Sequence, residues 1–114
     1  MTEPLLPLAC VSCRGQVEPL THEEASAYAP HAPEWLPDEG GQAISRTFVC
    51  RDHRHAIAFI VAIAEIAESQ DHHPDHRLAK YKRVTFTLTT HAAKGLTIND
   101  FVMAKLIDEA WAKR

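Results

Sequence analysis

The sequence predicts an α+β domain in the order α-β-β-α-β-β-α, with helices packed on a four-stranded, mostly antiparallel sheet. Three observations carry that expectation. Residues 52–70 form a long helical pattern that is apolar over much of its circumference. Residues 83–91 alternate apolar and hydroxyl-bearing side chains, and Gly40-Gly41 separates two strand-like runs. At 114 residues, 46% hydrophobic and 24% charged, the chain suits one compact domain with a packed core.

In order, residues 1–20 hold three of the seven prolines and little periodicity, which predicts an irregular arm before a single domain over residues 21–114. "LTHEEASAY" then opens a short helix. Thr21 is its cap, Glu24 completes a capping box, and Pro30 and Pro33 stop it. "EWLPDEGGQAISRTFVC" reads as a hairpin turning at Gly40-Gly41.

Asp52 begins the strongest helix. Ile57, Ile60, Val61 and Ala64 form one stripe, and Phe59, Ile63, Ile66 and Ala67 a second. So much apolar surface predicts burial on several sides, against a sheet and against another helix or subunit. Pro74 disfavours helix at His73, so the helix ends near His72. "HRLAKY" and "RVTFTLTTH" are two further strands; in the second, Val84, Phe86 and Leu88 face one side, and Thr85, Thr87, Thr89 and His91 the other. After Gly95, Thr97 caps a last helix with Ile98, Phe101, Val102 and Leu106 facing inward.

Charge and composition exclude several classes. A net charge of -3 without a Lys/Arg cluster argues against direct nucleic-acid binding. No apolar run reaches the roughly 18–20 residues that span a bilayer, so no membrane association is expected. The first residues lack a basic segment and carry two prolines, which makes a poor signal peptide. Three cysteines, an odd number, do not suggest a disulfide framework. A cytoplasmic protein is the expectation. Cys10 and Cys13 form a Cys-x-x-Cys pair far from Cys50, and reduced thiols in the arm are expected ahead of a zinc or redox site.

Chemistry concentrates in "SQDHHPDH", which holds three of the eight histidines. His72 and His76 have helical metal-ligand spacing, but Pro74 lies between them and breaks that geometry. In extended backbone the adjacent imidazoles of His72 and His73 diverge, so one can line a pocket while the other anchors. Imidazoles exchange protons near neutral pH, which favours proton handling over metal binding. An exposed helix end carrying histidines for its dipole is the plainer alternative. His91, on the hydroxyl-bearing side of its strand, is a third candidate. Asp100 sits where an acid completes a capping box, and Glu68 lies about one turn before His72.

From Glu68 the chain reads Glu-x3-His-His-Pro, six residues, Tyr81, nine residues, His91, eight residues, Asp100, fixing seven positions across 33 residues. This resembles the signature of the pterin-4a-carbinolamine dehydratases, the family that includes the dimerisation cofactor of a homeodomain transcription factor. "RVTFTLTTHAAKGLT" is similar as well, and weaker likeness runs from "LTHEEA" to the C-terminus.

The resemblance implies dehydration of a 4a-hydroxytetrahydropterin to quinonoid dihydropterin, in recycling the tetrahydropterin used by aromatic amino-acid hydroxylases. It implies helices packed on one face of a four-stranded antiparallel sheet, no metal, no bound cofactor and a homo-oligomer, dimer or tetramer. His72, His73 and His91 match the family's active-site histidines, and Glu68 and Asp100 its acidic positions. On that reading His72 and His91 are the acid/base pair, His73 binds and orients the pterin, and the two acids hold the imidazoles. His76 stands where many relatives carry a tryptophan and is the histidine least expected to be catalytic. The competing expectation is a non-catalytic assembly or transcription-cofactor module on the same scaffold.

Overall fold

Residues 5–10 and 18–114 are described by the computed structural model. Helix α1 (His22–Tyr28) starts with the expected capping box: Glu24 N–H donates to Thr21 Oγ1 (3.1 Å) and Thr21 N–H to Glu24 Oε1 (2.9 Å). A single 3-10 turn at Ala29–His31 follows. Strands β1 (Leu36–Pro37) and β2 (Ile44–Val49) form the hairpin, whose turn is closed by Gln42 N–H on Asp38 Oδ1 (2.8 Å) and by Gly41 at φ 68°. Helix α2 (His53–Gln70), strands β3 (Asp75–Ala79) and β4 (Arg83–Leu88), and helix α3 (Ile98–Ala112) complete the predicted order.

The sheet runs β1-β2-β4-β3, antiparallel throughout. Pairing of Ile44 with Leu88 and of Phe48 with Val84 puts these four, with Phe86, on the helix-covered side, all buried. Ser45, Thr47, Thr85 and Thr87 take the other face, where the Thr47 and Thr85 hydroxyls bond at 2.7 Å. Phe48, Phe59 and Trp111 meet with ring centroids 5.1 Å apart, and Phe86 closes edge-on. Such ring pairs add to plain area burial.

Helix α2 is capped as expected, with His55 N–H on Asp52 Oδ1 at 2.8 Å. Its Phe59, Ile63 and Ala67 stripe is buried, whereas Ile57 and Val61 of the other stripe stay 43% and 55% exposed. The burial on several sides expected for α2 is therefore not met within one chain. Helix α3 shows the opposite departure. Met103, Ala104 and Ile107 are buried beside Phe101 and Val102, while Ile98 and Leu106 are only half-buried. Part of the extra cover comes from the arm, whose Leu6, Cys10 and Leu20 pack against the core.

The third and fourth strands end earlier than their patterns suggest. Lys80 and Tyr81, at φ 50° and 56°, form the turn between β3 and β4. Beyond Leu88 the strand gives way to a single bridge between Thr90 and Gly95, so His91 begins a tight turn instead of ending a strand.

Candidate active site

The pairing of Asp75 with Thr87 brings the start of β3 to the end of β4. His72-His73 and Thr90-His91 therefore meet at one end of the sheet, where α3 also starts. Asp71 ends α2 in the left-handed region, φ 51° and ψ 39°, with its N–H on Ala67 and Glu68 carbonyls. Among residues other than glycine, Asp tolerates this conformation well. The αL residue turns the chain out of the helix, and Pro74 keeps His73 extended.

The two imidazoles diverge as expected, and each meets a carboxylate. His72 is buried, and its Nε2 lies 2.7 Å from Asp100 Oδ1. His73 is exposed, with Nε2 2.8 Å from Glu68 Oε2. Glu68 thus serves the second histidine, although it stands one turn before the first. A carboxylate only accepts hydrogen bonds, so Nε2 carries the proton in both pairs and each imidazole is fixed in one tautomer when neutral.

Asp100 is fully buried, and a buried carboxylate needs donors. It has three: His72 on Oδ1, and Thr90 Oγ1 (2.8 Å) and Thr97 N–H (2.9 Å) on Oδ2. Because Thr90 gives its hydroxyl proton to Asp100, the 2.8 Å contact between Thr90 and Thr97 is donated by Thr97. One side chain thereby caps α3, closes the Thr90 turn and orients His72. The sequence suggests the cap and the imidazole contact; Thr90, the third partner, is missed because a threonine in a Thr-rich strand carries no separate signal.

His91 is exposed and follows Thr90 directly, so it stands on the turn that Asp100 anchors. Tyr81, although part of the signature spacing, lies at the opposite end of β4 and is 60% exposed. Its carbonyl takes a 2.8 Å bond from His53 Nδ1. The structure does not bring it to the site. His76 is exposed and pairs with Phe86 across the sheet, with ring centroids 6.2 Å apart. It lines a cavity of about 200 Å³ together with Ile60, Ile63, Glu68, His73 and Phe86. Among the described residues no group of three or more His, Cys, Asp or Glu is placed to hold a metal ion. Cys50 is buried, and burial pushes its thiol pKa up; Cys13 lies outside the described residues.

Residues 18–110 match the family model described as pterin 4 alpha carbinolamine dehydratase. The chain belongs to that family. It is a family of lyases. A relative in Stenotrophomonas maltophilia that carries the pterin-4-alpha-carbinolamine dehydratase name is 41% identical over 103 residues, 88% of each chain. One in Halorhodospira halophila with the same name is 36% identical over 99 residues, 87% of this chain and 90% of the relative. The crystal structure of a transcriptional coactivator/pterin dehydratase from Brucella melitensis superposes with a TM-score of 0.76 at 34% identity. That match covers 82% of this chain and 98% of the other, and gives the α+β fold a solved counterpart. Among the described residues no helix is long and apolar enough to cross a membrane.

Proposed function

We propose that this protein dehydrates a 4a-hydroxytetrahydropterin to the quinonoid dihydropterin and water, with its imidazoles moving the protons. The observation that carries the reading is the buried His72–Asp100 pair at 2.7 Å. A histidine held this way presents one defined nitrogen, Nδ1, to a substrate, in the manner of a general acid or base fixed by an orienting carboxylate.

The carbinolamine oxygen leaves poorly as hydroxide. One imidazolium protonates it as the C4a–O bond breaks, and one neutral imidazole takes a ring N–H proton. The sum is loss of water with no net change in the protein. His72 and His91 form this acid/base pair, and the Glu68-held His73 binds and orients the pterin from the cavity wall. The exposed His91 returns protons to solvent between turnovers. Stopped-flow absorbance of 4a-hydroxytetrahydropterin decay, with and without protein, tests the reading; a decay rate indifferent to the protein overturns it. His91→Ala is expected to slow the catalysed rate about 10²-fold or more. As an exposed substitution it shifts stability by no more than about 0.5 kcal/mol.

The same reading places the enzyme in tetrahydropterin recycling beside an aromatic amino-acid hydroxylase, in the cytoplasm. It also includes a homo-oligomer. Ile57 and Val61 form an apolar stripe on α2, next to the exposed Ala58 and Ala64. On this reading the stripe is where copies of the chain meet. Light scattering is expected to give a multiple of the 12.7 kDa chain mass, and a monomer at micromolar concentration overturns this part. The stripe also leaves room for a second, protein-binding reading, in which the oligomer forms but the carbinolamine decays at its uncatalysed rate.

A further inference from the structure

The family match begins at residue 18, yet the arm before it reaches the site. Cys10 N–H donates to Gln70 Oε1 at 2.7 Å, and Cys10 Sγ–H to the Asn99 carbonyl at 3.7 Å. Gln70 is the last residue of α2, two before His72; Asn99 is in the first turn of α3, one before Asp100. The His72–Asp100 bond is thus spanned by a second, parallel bridge, in which one residue holds both helix ends. Leu6 packs against the core and anchors the segment that carries this bridge.

This bridge matters because His72 hangs on a short lead. After the left-handed Asp71, the backbone of His72 keeps one bond to the helix, its N–H on the Ala67 carbonyl at 3.2 Å. Asp100 is fixed by its own helix. The separation of imidazole and carboxylate therefore follows the separation of the two helix ends, which is what Cys10 spans. A proton-transfer group displaced by about 1 Å can lose about 10²-fold in rate.

We propose that Cys10 and Gln70 are positioning residues for His72: they brace the end of α2 against the start of α3 and keep the His72–Asp100 pair in register. The inference rests on the dehydratase reading for its kinetic consequence, but not for its geometric one.

The test uses the full chain. Gln70→Ala removes the acceptor, and is expected to lower kcat about tenfold with KM within about twofold, because the brace touches no substrate. Gln70→Glu keeps an oxygen for the Cys10 N–H and recovers most of the loss, as does Cys10→Ser, which keeps the backbone donor and a hydroxyl. Independently of activity, the His72 Nε2–H proton, followed by NMR in isotope-labelled protein, is expected to exchange with solvent several-fold faster in Gln70→Ala. Wild-type kcat in Gln70→Ala overturns the proposal, and so does an equal loss in Gln70→Glu. If wild-type protein proves inactive, the dehydratase reading has failed and the exchange rate alone decides the brace: an unchanged rate overturns it.

Discussion

His72→Ala is expected to slow pterin dehydration by about 10²–10⁴-fold while leaving the secondary structure in place. The size follows from what is lost. Of the site's three histidines among the described residues, His72 is the buried one, with Nε2 fixed on Asp100 at 2.7 Å. A general acid or base contributes in proportion to how well it is aimed, and the exposed His73 and His91 are aimed less well. The fold should survive because Asp100 keeps its Thr90 and Thr97 donors when the imidazole goes. Losing the third donor costs about 1–3 kcal/mol, so the midpoint of thermal unfolding falls while the circular dichroism spectrum at low temperature does not change. His73→Ala makes the comparison. Its pair with Glu68 is exposed on both sides, so stability barely moves and the effect falls mainly on KM. Single-turnover and steady-state kinetics on the two variants separate these outcomes. Equal losses, or wild-type rates in His72→Ala, would show that proton transfer runs through other groups.

Much of this arrangement is legible in the residues, and the exceptions have physical causes. The alternation of Val84, Phe86 and Leu88 with threonines places β4 correctly because a half-buried strand repeats every two residues. Pro74 and the adjacent histidines foretell a diverging pair, since both effects are local to the backbone. The sequence leaves open which imidazole Glu68 holds, because helical spacing reports which face a residue shares, and His73 is no longer in the helix. Tyr81 shows the reverse limit: fixed spacing marks it, but spacing cannot tell a turn at the far end of a strand from a group at the site. The partners of Cys10 escape the sequence for a third reason. Its bonds to Gln70 and Asn99 close separations of 60 and 89 residues through an arm without periodicity, where no pattern constrains the path.

Asp100→Ala is expected to lower the unfolding free energy by about 3–5 kcal/mol, the range for removing one partner of a buried pair. The carboxylate is fully buried, and three donors depend on it: His72 Nε2–H, Thr90 Oγ–H and Thr97 N–H. Without the carboxylate, all three donors lose their acceptor in the interior. Asp100→Asn separates this structural role from the chemical one. The amide fills the same volume and holds one oxygen, but its NH₂ must face either the imidazole or the two groups on the threonine side. Turned toward Thr90 and Thr97, it leaves the oxygen for His72 and strands the hydroxyl and the cap; turned the other way, it confronts Nε2–H with a donor and forces the wrong tautomer. Either choice costs less than the alanine, about 1–3 kcal/mol. The rate, by contrast, should fall nearly as far as in His72→Ala, because an imidazole without its orienting carboxylate can lose about 10⁴-fold. Urea titrations read at constant m-value, with kcat on the same preparations, give both numbers. An asparagine variant that keeps the wild-type rate would reduce Asp100 to a helix cap, and leave His72 without the carboxylate that makes it the acid or base of the site.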